Sequence, residues 1–249
     1  MDNSFKEKFQ RLWRTYFDQS ELPIVLYYTD EKTVKENDPK KSSSCLIACL
    51  KRVRKGASLR FNAESIGCPG GRRYAGFNPD LTNNFEYFLS CGIPGVMEGE
   101  RYKKTPELVQ AWLNDSLEYI ASGTQLVFKR WDKVDEDDDP EVVIFFAKPD
   151  VISGLFTLAN YDLNYHGVIA PFGSGCSSII MYPILEGDKE QPHCVFGMFD
   201  PSARPYVERD ILTFAVPMKR FIQMVENMTE SFLITPTWET IKKRLNNNP

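Results

Sequence analysis

The segment Val142-Val143-Ile144-Phe145-Phe146-Ala147 runs directly into Lys148-Pro149-Asp150. Six consecutive apolar residues, rich in β-branched and aromatic side chains, read as the strongest strand of the chain. Pro149 then opens a segment to Leu163 that reads as a helix. Upstream, Gln125 to Trp131 reads as a second strand, separated from the first by Asp135-Glu136-Asp137-Asp138-Asp139-Pro140. That acidic run lacks the spaced ligands and the glycine of a calcium loop, so it is expected to be a solvated hairpin loop.

The same alternation extends in both directions. Phe5, Phe9, Leu12, Trp13, Tyr16 and Phe17 recur at helical spacing, which predicts an amphipathic helix over 3–18 with a core-facing stripe. Pro23 to Tyr28 reads as a buried strand. Ser42, Ser43 and Ser44 offer N-cap hydroxyls to a helix carrying Cys45 in its first turn and Lys51, Arg52, Arg54 and Lys55 in its last turns before Gly56. Ser58 to Phe61 predicts a short strand, and Gly67-Cys68-Pro69-Gly70-Gly71 a tight turn. Helices are predicted over Thr82–Ser90 and from Thr105-Pro106 to about Tyr119. Further on, Val168–Pro171, Cys194–Phe199 and Ile211–Val216 read as strands. A helix follows Gly173-Ser174-Gly175-Cys176, and two more cover Pro217–Met228 and Thr235–Leu245. Strands interleaved with helices imply an α/β or α+β fold, taken as a single mixed-sheet domain with flanking helices over residues 1–249.

Composition narrows the function classes. With 42% hydrophobic and 13% aromatic residues among 249, the chain has ample material for a core. A net charge of −4 and a pI near 5.4 give no general positive field for phosphate backbones, so nucleic acid is not an expected partner. The longest apolar run is far short of the roughly 20 residues a membrane helix needs. Met1 to Tyr16 mixes basic and aromatic residues without the apolar region of a secretory signal. A cytoplasmic protein without integral membrane association is therefore expected. In a reducing compartment, six cysteines are core fillers, metal ligands or reactive groups rather than disulfides.

Three of those cysteines share a setting. Cys45, Cys68 and Cys176 each lie at or just before a predicted helix start, beside serine or glycine. A helix N-terminus presents free N–H groups and the positive end of its dipole, which favours thiolate, the form that binds metals and attacks electrophiles. Glycine lets the backbone approach a bulky ligand, which makes Gly70, Gly71, Gly173 and Gly175 candidate cofactor-binding positions. Cys49, Cys91 and Cys194 read as packing residues, with Cys49 or Cys194 available as further ligands.

The order Leu22-Pro23-Ile24-Val25-Leu26-Tyr27, then Cys45 in a helix ending at Gly56, then Gly67-Cys68-Pro69-Gly70-Gly71 with Gly76-Phe77 resembles the N-terminal half of the domain of unknown function 169 family, also called ArCR. Val142-Val143-Ile144 leading to Pro149, the turn before Cys176, Phe196-Gly197 ahead of Ala203-Arg204, and Ile211 to Pro217 are similar to its C-terminal half. The resemblance covers about residues 20–230. It implies that Cys45, Cys68 and Cys176 match the family's cysteine positions, and it implies no activity.

Two classes of function follow. In the first, Cys45, Cys68 and Cys176 are thiolate ligands of an iron–sulfur cluster or other metal in a redox role, with a small molecule or redox partner at the open coordination position. In the second, the chain is a metal-free small-ligand module whose glycine turns form an anion pocket, or a thiol enzyme using Cys176 with His166 or His193. Arg72, Arg73 and Arg204 are candidates to complement negative charge.

Overall fold

The computed structural model describes residues 1–31, 45–116 and 118–246; the predicted serine caps at 42–44 lie outside the described residues. Among the described residues seven strands form one sheet: β1 (Ile24–Thr29), β2 (Leu59–Phe61), β3 (Gln125–Arg130), β4 (Val142–Ala147), β5 (Val168–Ile169), β6 (Cys194–Gly197) and β7 (Leu212–Pro217). Their spatial order is β2-β3-β1-β4-β7-β6-β5. Every pairing is antiparallel except β5 with β6. The helices lie on both faces of this largely antiparallel mixed sheet, which makes the fold α+β.

Alternation of side chains divides each central strand between two cores. On one face Val143, Phe145 and Ala147 of β4, Val25 of β1, and Phe214 and Val216 of β7 pack beneath α1 (Asn3–Phe17), α6 (Pro149–Leu158), α8 (Met218–Asn227) and α9 (Pro236–Asn246). On the other, Val142, Ile144 and Phe146, with Ile24, Leu26 and Ala215, pack beneath α2 (Leu46–Arg54) and a π-helical turn at Ser177–Met181. All six residues of β4 are buried, which is why its sequence is continuously apolar. The α1 stripe joins an aromatic cluster in which Trp13 stacks on Phe17 with ring centroids 4.3 Å apart.

Several predicted elements end early. The 82–90 helix is a single turn, α4 (Phe85–Phe88). The helix from Thr105 keeps its predicted cap, the Thr105 hydroxyl accepting from the Leu108 amide, but α5 spans only Pro106–Asn114. Helix α6 stops at Leu158 rather than 163, and the next carbonyl, of Ala159, accepts from the buried Arg220 guanidinium at 3.2 Å. The Gly67–Gly71 turn leads into a short helix, α3 (Pro69–Tyr74), and α7 (Tyr182–Gly187) continues the π-helical turn.

The acidic segment is not a hairpin loop. Strand β1 lies between β3 and β4, so residues 131–141 must cross its end. In crossing, Asp138 is buried to 8% exposure, accepts the Asp135 amide at 2.7 Å, and receives the Tyr27 hydroxyl and the Lys129 ammonium. The like charges are compensated by a buried cation rather than by solvent alone.

Candidate functional site

Cys45 and Cys68 are N-cap residues of α2 and α3, and Cys176 opens the π-helical turn. Packing contacts draw these three chain segments together. Gly71 is buried, and a Cβ built there would stand 3.0 Å from Ile66 Cγ2, 3.6 Å from the Cys68 Cβ and 3.7 Å from the Leu46 Cβ. The tight contact is with Ile66, while the approach to Leu46 is ordinary van der Waals packing that sets α3 against the first turn of α2. Gly175 is equally confined: its Cβ would meet Ala203 Cβ at 2.8 Å, Met198 Sδ at 3.1 Å and Ile47 Cγ1 at 3.6 Å. The turn bearing Cys176 therefore rests on the same first turn of α2. A Cβ at Gly173 would meet only its own turn and Tyr182, whereas one at Gly70 would have just the Cys68 Sγ near it, at 3.9 Å. Of the four glycines, Gly70 alone faces open space beside a sulfur.

The three thiols consequently lie within electrostatic reach of one another. Burial pushes the Cys176 thiol well above its ordinary pKa, and Cys45, Cys68 and Asp200 reinforce the rise. The Cys45 thiol is raised too, chiefly by burial; the Ile47 and Ala48 amides at the start of α2 oppose that rise, and Cys68 and Asp200 add to it. Those amides form no regular cap hydrogen bond to the sulfur. The expectation that helix starts would favour thiolate is thus corrected for Cys45 and Cys176, because desolvation outweighs the N-terminal N–H groups. Both are protonated thiols at neutral pH.

Asp200 is the site residue that sequence reasoning missed. Its buried carboxylate accepts the Gly175 amide at 3.1 Å, the Ser202 amide at 2.9 Å and the Ser202 hydroxyl at 2.9 Å. It thereby ties the Cys176 turn to the segment after β6. The Asp-x-Ser spacing, which favours an Asx turn, was the available signal. Tyr74 borders the group as well: burial raises its hydroxyl to about 12, with Tyr182, Cys176 and Asp200 contributing.

The remaining candidates separate clearly. Cys194 is buried in the opposite core, its Sγ 3.8 Å from Met224 Sδ, so it is no further ligand. Cys91 is exposed rather than packed. Cys49 follows Cys45 by one turn of α2 and is partly buried against the same core. His193 is held by Glu186, whose carboxylate accepts its amide at 3.0 Å and contacts Nδ1 at 2.8 Å. His166 is exposed, and neither histidine is among the groups acting on Cys176. Arg204 is committed to the carbonyls of Glu208, Arg209 and Ile211, and Arg73 to that of Pro79. Arg72 keeps a buried Nε without a hydrogen-bond partner.

Among the described residues, no three His, Cys, Asp or Glu side chains converge tightly enough to hold one metal ion. No described helix is long and apolar enough to cross a membrane. One family model matches residues 15–227, that of DUF169, described as uncharacterised ArCR. Comparison with curated proteins and with solved structures finds no match.

Proposed function

We infer, for a chain that belongs to the ArCR family, that the crevice between the starts of α2, α3 and the Cys176 turn binds a polynuclear thiolate-ligated metal group, an iron–sulfur cluster in the first instance, in a redox role. The observation that carries this reading is the mutual electrostatic reach of Cys45, Cys68 and Cys176, contributed by three remote segments. Thiolate is the donor that iron–sulfur clusters take, and in a [4Fe–4S] cluster each cysteine binds a different iron, so the sulfurs need not crowd together. A single tetrahedral zinc, at about 2.3 Å per Zn–S bond, would require much closer sulfurs. Metal binding deprotonates coordinating thiols outright, so the raised pKa values set a pH-dependent loading step rather than a bar to loading. Three protein ligands leave a position free for a small molecule or a redox partner.

A second reading, a metal-free small-ligand pocket lined by thiols and tyrosines, is favoured by the lack of any described triad able to hold one ion. The histidine-assisted thiol enzyme has no comparable support. Protein purified anaerobically separates the two readings. Iron and acid-labile sulfide near stoichiometric amounts, with visible absorption bleached by dithionite, are expected. Colourless protein that stays free of iron and sulfide after anaerobic reconstitution would leave only the metal-free pocket.

A further inference from the structure

The chain leaves the thiol face at Gly76 and returns at Ala121, and these two points touch. The Ala121 amide donates to the Gly76 carbonyl at 3.0 Å. Gly76 has a φ of +71°, and a Cβ there would collide with the Ala121 backbone. The described residues between them hang from this neck. The described part of this excursion is knit to itself: the amides of Glu100, Arg101 and Lys103 donate to the carbonyls of Phe88, Ser90 and Leu89, and Leu89 and Val109 are buried. It contributes no strand to the sheet.

At the neck itself Phe77 and Tyr119 flank Tyr28 of β1, with ring centroids 6.0 and 6.3 Å away; beyond the neck, the described excursion meets the rest of the molecule at the rim of the thiol crevice. The Lys103 ammonium lies over the Phe172 ring, 4.3 Å from its centroid, and 5.9 Å from that of Trp112. Trp112 in turn meets Phe172 edge-on at 5.6 Å. Phe172 heads the turn that carries Cys176. Beside it, Tyr102 stands close enough to Asp200 and Ser202 for both to act on its hydroxyl. Both contacts therefore land on the two loops that position Cys176 and Asp200.

We propose that the excursion between Gly76 and Ala121 is a hinged flap on the Cys176–Asp200 side of the thiol crevice, latched by Lys103 and Trp112 against Phe172, and that access to Cys176 requires it to lift. The inference rests on the reading of Cys45, Cys68 and Cys176 as the functional site. A unit held by one neck and a small surface latch opens independently of the sheet, at the low-stability end of the molecule.

Alkylation of the metal-free protein by N-ethylmaleimide, followed cysteine by cysteine by peptide mass spectrometry, tests it. Cys176 reports flap opening, Cys194 in the opposite core reports global opening, and exposed Cys91 reports reagent activity. When closing is fast, labelling follows the population of the open form. An exposed cation–π contact corresponds to a roughly two- to fivefold shift in that population, so Lys103→Met is expected to speed Cys176 labelling by about that factor. Trp112→Ala should act in the same direction and more strongly. Cys194 and Cys91 should keep their wild-type rates in both variants. Unchanged Cys176 labelling in both variants, or acceleration of Cys176 and Cys194 together, overturns the flap. Iron and sulfide loading of the wild-type protein is read separately, so failure of the metal reading is not mistaken for failure of the flap.

Discussion

The ammonium of Lys129 lies 2.9 Å from one carboxylate oxygen of Asp138 and 3.0 Å from the other, and both side chains are buried. The pair joins β3 to the segment that crosses the end of β1, with the Tyr27 hydroxyl as third partner. Removing Asp138 leaves the buried Lys129 ammonium without its buried counter-charge, the exposed Asp135 carboxylate at 3.1 Å compensating only in part, and breaking a buried pair typically costs about 3–5 kcal/mol. Asp138→Ala should therefore destabilise the protein by several kcal/mol in denaturant titration. Asp137→Ala, one residue away and exposed, should fall within about 0.5 kcal/mol of wild type. Equal effects of the two would show that the crossing segment is not anchored through Asp138.

The thiols of the crevice should resist alkylation more than their partial access implies. Because burial raises the pKa values of Cys45 and Cys176, their thiolate fraction at pH 8 is below that of an ordinary cysteine. Labelling rates should keep climbing past about pH 9. The same sign governs metal loading, which releases protons and should become more favourable as pH rises. A labelling profile for Cys176 that levels off below pH 8 would contradict the desolvation assigned to it.

Stability should decline in acid through the buried Arg220 and its partner. Hydrogen bonding from Arg220 holds the Asp162 carboxyl below its ordinary value of 3.8. The unfolded chain therefore binds the proton first as pH falls. The contribution is complete above the unfolded pKa and is lost as pH drops through the folded one. Asp162→Asn should flatten the stability profile below about pH 4 while leaving a constant offset at neutral pH. A profile parallel to wild type in that range would assign the acid sensitivity to other carboxylates.

The fold was legible wherever short-range pattern decides it. The apolar run 142–147, the α1 stripe and the Thr105-Pro106 cap all form as their residues predict, because burial and capping are local demands. Strand order is not local, and the acidic segment was misread for that reason: only the insertion of β1 between β3 and β4 makes Asp138 a buried partner. At the site, glycine and serine neighbours pointed to Cys45, Cys68 and Cys176 as a group. The state of the thiols was hidden, since it depends on desolvation by three converging segments. Cys91 and Cys194 differ for the same reason. Both have apolar neighbours in sequence, yet one is exposed on the excursion and the other sealed beneath α8.

Cys68→Ser and Cys91→Ser separate the chemistry of the crevice from the chemistry of cysteine in general. At position 68 the hydroxyl is close in size to the thiol but is a poor substitute for thiolate, so metal loading should fall several-fold or more. The fold should persist, because serine keeps the Cβ at position 68 and the packing of Gly71 beside Leu46 does not involve the sulfur. At position 91 the side chain is exposed, so the change should leave stability within about 0.5 kcal/mol and loading unchanged. Iron and sulfide content should be measured after anaerobic reconstitution on variants matched for folded fraction by circular dichroism. Full loading of Cys68→Ser would remove Cys68 from the ligand set and reduce the candidate site to Cys45 and Cys176. The metal-free pocket is favoured only if the reconstituted wild-type protein itself stays free of iron and sulfide.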